Sequence, residues 1–346
     1  AGRNLRMAIH SGYDKAISAI VDANMTTLLV TFILFGLGSG AVKGFAVTTC
    51  MGIIASIFTS VYFTRALTNM LVDLGWIKEI NMSHDWFQNI PTIDFMKLSK
   101  SAFKFSIVLL FLCVMILPFR GLNLGLDFTG GQQITIETQH HETSDYIREV
   151  VSGIGIEQSQ VTTYGASNIF VIKMGETDIR SKVITDHLLQ KIPDSKILQA
   201  EFIGPQVGSN MLASSLSAVM IALGVTMLYV ALRFEYRFAV SAIVSLIHDP
   251  VLILSIFSLF QIEFNLIALA AMLTILGYSI NDTIVVYDRV REAFKQDALS
   301  SPQDIINRAI NQTLSRTVLT SCLTLAVVIA LYLFGGDYLH GFSLSL

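Results

Sequence analysis

Seven apolar runs punctuate the chain, each long enough to cross a bilayer at ~20 residues and ~1.5 Å per residue. They fall near residues 17–37, 43–64, 102–119, 208–232, 238–260, 265–288 and 317–334. The sixth run interrupts itself with Ser279-Ile280-Asn281-Asp282-Thr283. A carboxylate at that depth costs about 2.5 kcal/mol or more on insertion scales, so Asp282 should face a partner or water, not lipid. The pattern thereby asks what the protein moves more than what it catalyses.

Between the third and fourth runs the period changes. Alternating residues such as Ile134, Ile136, Phe170 and Ile172 predict strands. The segment reads as strand Gln132–Thr138, helix Ser144–Ser152, strand Gln160–Tyr164, strand Asn168–Met174, helix Thr177–Ile192 and strand Lys196–Ile203, with a hairpin turn at Gly165 to Ser167. That βαββαβ order is the ferredoxin-like split motif. The predicted fold is therefore a membrane α-helical bundle of about seven spans carrying one α+β ferredoxin-like domain outside the cytoplasm. No His/Asp/Glu grouping in the domain has catalytic or metal spacing, and His140-His141 reads as an exposed loop pair. The domain is expected to bind or move.

Composition agrees with a membrane protein: 53% of the 346 residues are hydrophobic and 14% charged, against about 25% charged in soluble domains. The distribution of charge orients the spans. Fifteen of the 23 Lys/Arg fall on one side of the seven runs and only Lys43 on the other, which makes the first side cytoplasmic. The remaining seven lie between Arg120 and Pro205, in the predicted domain, which carries 11 acidic and 6 basic residues from Gly121 to Pro205. Cys50, Cys113 and Cys322 sit in apolar runs and read as small buried hydrophobes. Residues 65–104 form a polar cytoplasmic connector with a break at Asn89-Ile90-Pro91. Within it, Met82-Ser83-His84-Asp85 is compatible with a start-codon region joined to a preceding gene product. The chain opens Ala1-Gly2-Arg3-Asn4 without Met and closes where Gly341 to Leu346 begin another apolar segment. The expectation is a fragment of a longer reading frame.

A repeat links the ends. A shift of 297 residues places Thr27-Leu28 on Thr324-Leu325, Leu34 on Leu331, Gly38 on Gly335 and Gly44-Phe45 on Gly341-Phe342. Repeats running in the same direction imply two halves related about the membrane normal, a transporter architecture.

The ionisable residues inside the runs are the candidate site. Asp282 lies 18 residues in from Phe264 and Arg316 lies 18 residues before Phe334, so each sits ~27 Å from the outer end of its own helix. Equal depth on consecutive helices suits a carboxylate–guanidinium pair; the bland alternative is that Arg316 snorkels to the interface. Asp249, in His248-Asp249-Pro250, lies near the midplane, where Pro250 removes a backbone donor and frees carbonyls for water or a proton carrier. Its alternative role is a bond to a neighbouring helix. Asp22, in Asp22-Ala23-Asn24, and Asn281 are secondary polar positions, with packing the favoured role for Asp22. Asp288 and Arg289 read as solvated interfacial charges. Gly125-Leu126-Asp127-Phe128-Thr129-Gly130-Gly131 follows the third run; without a following Lys-Ser/Thr or an opening helix it is not a phosphate loop. It reads as a tight turn launching the strand at Gln132, and as a hinge.

These segments resemble the SecD/SecF protein-export family of the resistance-nodulation-division superfamily. The likeness rests on Gly125–Gly131 (GLDFTGG), Leu246–Pro250 (LIHDP), Gly277–Glu292 (GYSINDTIVVYDRVRE) and Gln312–Thr317 (QTLSRT), in order. Residues 1–75 resemble the last two helices of a SecD half. Residues 76–100 form a linker, 101–120 the first SecF-like helix, 121–205 the periplasmic domain, and 206–346 the remaining SecF-like helices with the last one truncated. The resemblance implies a proton-driven accessory of the Sec channel in the bacterial inner membrane that assists late export of unfolded preproteins. It places Asp282, Arg316 and Asp249 on a proton pathway and Asp127, Gly125, Gly130 and Gly131 in a hinge motif. It implies the proton as coupling ion with no cofactor, metal or nucleic acid, and a SecD-like half, the Sec channel and a YajC-like small subunit as partners. Two other classes make different demands. A proton-driven exporter of small molecules or lipids would call for a larger, pocket-bearing outer domain. An intramembrane aspartyl protease on Asp249 and Asp282 would call for a GxGD setting, which neither has.

Overall fold

The computed structural model describes residues 5–38, 40–77, 92–139, 142–156, 159–164, 166–234, 236–297, 299–335 and 337–346. The expectations placed on residues 1–4, 82–85, 89–91, 140–141 and 165 lie outside these. Among the described residues, seven helices are long and apolar enough to cross a membrane. They comprise α1 (Leu5–Leu37), α2 (Gly40–Phe58) continuing through a π-helical turn at Thr59–Phe63 into α3 (Thr64–Asp73), α4 (Phe95–Arg120), α8 (Pro205–Arg233), α9 (Tyr236–Phe260), α10 (Leu266–Gln296) and α11 (Pro302–Phe334). A shorter α12 spans Asp337–Ser345.

Several helices outrun their apolar stretches. Helix α10 continues to Gln296 and α11 starts at Pro302, with Ser301 Oγ accepting from the Asp304 N–H as N-cap. Both are polar beyond the membrane, where hydropathy gives no signal but helix propensity still holds. Pro250 sits within α9, which runs unbroken from Tyr236 to Phe260.

Between α4 and α8 lies the sheet domain: β2 (Gly131–Glu137), α6 (Ser144–Ser152), β3 (Ser159–Tyr164), β4 (Ala166–Met174), α7 (Ser181–Lys191) and β5 (Lys196–Ile203). The strands run in order β3-β4-β2-β5, every neighbour antiparallel, so the βαββαβ order closes into the ferredoxin-like arrangement. Ile134, Ile136, Phe170 and Ile172 point to the same face and pack on Ile147, Val151, Ile184 and Leu188 of the two helices.

Helix α10 is the hub of the bundle, with Ala268, Ala270, Ala271, Leu273, Leu276 and Ile280 buried. Small residues let its neighbours approach closely: a Cβ on Gly277 would stand 3.0 Å from the Thr27 side chain of α1. Helix α4 is the opposite case. Only Cys113 of its 26 residues is buried, and Phe103, Phe105 and Phe111 project outward as a lipid-facing surface should. Cys322 is likewise exposed, correcting its reading as a buried residue.

The repeat is realised in matching contacts. A Cβ on Gly38 would meet the Leu34 carbonyl oxygen at 2.3 Å and Val42; on Gly335 it would meet the Leu331 carbonyl at 2.3 Å and Leu339. Each of these pairs is related by the shift of 297. The equivalent rings of Phe45 and Phe342 touch each other, 5.9 Å between centroids, as residues beside a two-fold axis must.

Candidate functional site

Three of the candidate groups meet along α10. The Ser279 hydroxyl donates to Asp249 Oδ2 on α9 at 2.7 Å, while His248 Nδ1 lies 3.3 Å from Asp249 Oδ1. One turn further, Asp282 turns to α11, where Arg316 and Thr320 are the polar groups that act on its carboxylate. Asp282 and Arg316 do not close into a direct ion pair; the guanidinium acts through space. Thr320 donates its hydroxyl to the Arg316 carbonyl at 3.1 Å, holding the local helix turn. Asn281 shares a face with Gly277, four residues away, and its Oδ1 is buried without a hydrogen-bond partner among the described residues.

Asp22 stands apart from this group. Its Oδ2 receives Arg233 Nη2 at 2.6 Å and Nε at 3.2 Å, and Tyr229 donates to Oδ1 at 3.2 Å. The carboxylate of α1 thus clasps the last turn of α8. Arg233 and Tyr229 were not anticipated as partners, because residues more than 200 positions away leave no local trace. Arg289 remains an accessible charge, and it also reaches across to a neighbouring helix. Since α10 continues past it, its Nε donates to Gln312 Oε1 of α11 at 2.7 Å.

The glycine-rich segment forms a second site at the other end of α10. Strand β1 (Asn123–Leu124) pairs in parallel with β6 (Glu263–Phe264), and the Gly125 N–H donates to the Phe264 carbonyl at 2.9 Å. The sequence predicted no helix here, yet α5 (Leu126–Thr129) makes one turn, its Phe128 and Thr129 amides donating to the Gly125 carbonyl. The turn forms because Phe128 is buried and stacks on Phe264 at 5.9 Å between centroids. Asp127 Oδ2 accepts the Leu266 N–H, the first amide of α10, at 2.9 Å. Asn265 Oδ1 accepts the next two, from Ile267 and Ala268. Three orphan donors of the helix start are thereby satisfied. Burial pushes the Asp127 carboxyl above the ordinary carboxylate range; the Leu266 amide and Lys173 oppose this, and Glu263 and Glu201 add to it.

The glycines have geometric reasons. Gly130 and Gly131 have φ of +78° and +142°, and a Cβ on Gly131 would lie 2.3 Å from the Met174 carbonyl oxygen. Neither position admits a side chain. Residues missed by sequence reasoning are Lys173 on β4 and Glu263 on β6: Lys173 Nζ donates to both Glu263 oxygens, at 2.7 and 2.8 Å. Among the described residues no group of three or more His, Cys, Asp or Glu side chains is arranged to hold a metal.

Known proteins share this arrangement. Residues 2–73 and 183–346 match the family described as protein export membrane protein SecD/SecF, C-terminal, and residues 116–140 match the SecD/SecF GG motif. The protein translocase subunit SecDF of Thermus thermophilus is 34% identical over 353 residues, covering 100% of this chain and 47% of the relative. The protein translocase subunit SecF of Vibrio alginolyticus is 38% identical over 261 residues, 74% of this chain and 83% of that protein. A crystal structure of SecDF from Thermus thermophilus, described as a translocon-associated membrane protein, superposes with a TM-score of 0.85 at 33% identity, covering 99% of this chain and 47% of that one. The chain spans about half the length of the SecDF relatives it matches. With the family's C-terminal region matched over residues 2–73 and 183–346 and its GG motif on the glycine-rich segment, this multi-pass inner-membrane chain belongs to the SecD/SecF protein-export membrane protein family.

Proposed function

We propose that the chain is the portion of a Sec-pathway accessory that uses the proton motive force to assist late export of preproteins across the bacterial inner membrane. In this reading the sheet domain stands on the periplasmic side, opposite the fifteen Lys/Arg of the cytoplasmic face. Its partners are a SecD-like half, the Sec channel, a YajC-like subunit and the unfolded preprotein. The proton is the coupling ion; Asp282, Arg316 and Asp249 line its pathway, and Asp282 is the group that takes it up.

The observation that supports this most is the construction of α10. One 31-residue helix holds Asp282 in the membrane and starts at Leu266, whose amide is held by Asp127 of the glycine-rich hinge. The carboxylate and the hinge bond are 16 residues apart, ~24 Å of rigid helix. Protonation of Asp282 removes its attraction to Arg316, α10 reseats against α11, and the hinge passes that displacement to the sheet domain. Because the two side chains are near without being locked, a modest free-energy change suffices to move the balance.

The test is Asp282→Asn in the full-length protein, with preprotein export into membrane vesicles measured with and without a proton gradient. The gradient-dependent part should disappear while the gradient-independent part remains. Gradient-dependent export at the wild-type rate would sink the proposal.

A further inference from the structure

The Asp127 bond secures the start of α10 to the hinge, but it does not secure the sheet domain itself. A polar contact that does is the Lys173–Glu263 pair, 2.7 and 2.8 Å from ammonium to carboxylate oxygens. Lys173 belongs to β4, an inner strand, and opposes Gln133 of β2 and Gln160 of β3, so its backbone is fixed by ladders on both sides. Glu263 belongs to the two-residue ladder with β1 and lies three residues before the first residue of α10. The pair is bidentate and only partly wet, the side chains retaining 23% and 20% of their exposure. Charge-assisted bonds of that kind are about twice as strong as neutral ones.

We propose that Lys173 and Glu263 are positioning residues forming a releasable clamp that holds the sheet domain docked against the start of α10. Three features make it releasable. Both residues line a cleft of about 340 Å³, with Asn123, Ser159 and Gln160 on its walls, so Lys173 can swing away without displacing packed side chains. A second acceptor is at hand, because Lys173 also acts electrostatically on Asp127. Gly125 is kept free of a side chain at the spot where a Cβ would stand 2.7 Å from Glu263 Oε1, which leaves that carboxylate its own space. Transfer of the ammonium from Glu263 toward Asp127 releases the Lys173 end of the sheet domain while the hinge bond to Leu266 stays in place. The domain then tilts on its glycines.

The clamp concerns how the domain is held, and its value for export rests on the reading given above. The two are separable by experiment. In the full-length protein freed of native cysteines, spin labels at Val183→Cys on α7 and Phe260→Cys at the end of α9, both exposed positions, report the docking distance without any proton gradient. Glu263→Gln and Lys173→Met should each raise the ratio of displaced to docked domain about tenfold, the factor that about 1.4 kcal/mol produces. Lys173→Arg, which keeps the charge, should retain the wild-type distribution. Export should fall several-fold in the first two variants and not in the third. Wild-type distance distributions in both Glu263→Gln and Lys173→Met would overturn the clamp, whatever Asp282→Asn does to export. Displacement in Lys173→Arg equal to that in Lys173→Met would overturn it as well, since the charge would then not be the cause.

Discussion

The two ends of α10 are built on opposite principles. At the hinge, the amides that start α10 are paired at short range: Leu266 to Asp127, and Ile267 and Ala268 to Asn265. In the membrane, Asp282 and Arg316 act on each other without closing into an ion pair, and Asn281 Oδ1 has no partner among the described residues. A satisfied network resists displacement, whereas an under-satisfied one has little to lose when it rearranges. On the proposed mechanism, the hinge transmits and the membrane site switches.

The strongest way to break this contrast is to damage the hinge backbone. Gly131→Ala places a Cβ 2.3 Å from the Met174 carbonyl at a φ of +142°, so backbone must move. Incompatible backbone and steric overlap together should cost about 3 kcal/mol or more, read as a drop in thermal midpoint of the purified protein. Gly224→Ala is the control, since a Cβ there meets nothing within 4 Å. Equal effects at the two positions would remove the argument that the hinge is tightly determined.

Next in size is the clasp between α1 and α8. Asp22→Asn retains an acceptor for Tyr229 but loses the charge that holds Arg233 at 2.6 Å. Leaving a half-buried guanidinium without its counter-charge should lower stability by about 1–3 kcal/mol. Arg233→Gln in the same background should add little further, because the two residues act as a unit. Additive losses would show that each is stabilised by other contacts.

How far the sequence could anticipate these sites follows from the range of the forces involved. Hydropathy placed the seven spans because the bilayer imposes a length on each, and alternation placed the strands because the sheet buries one face. The repeat was legible because matched glycines fulfil matched contacts, as Gly38 and Gly335 do. Partnerships across space were not legible. Lys173 and Glu263 are 90 positions apart, and Asp22 and Arg233 are 211 apart. The one-turn helix at Leu126–Thr129 escaped because it rests on packing of Phe128 against Phe264, and local propensity does not encode that contact. Depth did bring Asp282 and Arg316 to facing positions on consecutive helices, but depth alone could not say whether their side chains would touch.

A smaller effect sharpens the hinge side through pH. Burial raises the Asp127 carboxyl above the ordinary range, so the folded hinge binds that proton more tightly than the unfolded chain does. The resulting contribution is fully present below the ordinary carboxylate value, and it is lost as pH rises through the raised value. Acidification from neutral pH into that window should therefore strengthen hydrogen-exchange protection of the Leu266 amide relative to amides in β2. In Asp127→Asn this pH dependence should vanish, with a loss of about 1 kcal/mol in hinge stability because one acceptor oxygen survives. A variant that keeps the wild-type pH profile would show that Asp127 is not the group responsible.

The smallest effect on stability is expected at the residue on which the proposed mechanism turns. Asp282→Asn preserves shape while removing a charge that the membrane disfavours and that no direct ion pair repays, so the two consequences oppose each other. The thermal midpoint should change by no more than about 1 kcal/mol of equivalent stability, far less than for Gly131→Ala. If Asp282→Asn instead destabilised the bundle as strongly as the hinge mutation, the carboxylate would be a structural strut. The contrast between a transmitting end and a switching end of α10 would then fail at its membrane end, where any loss of export would follow trivially from loss of the fold.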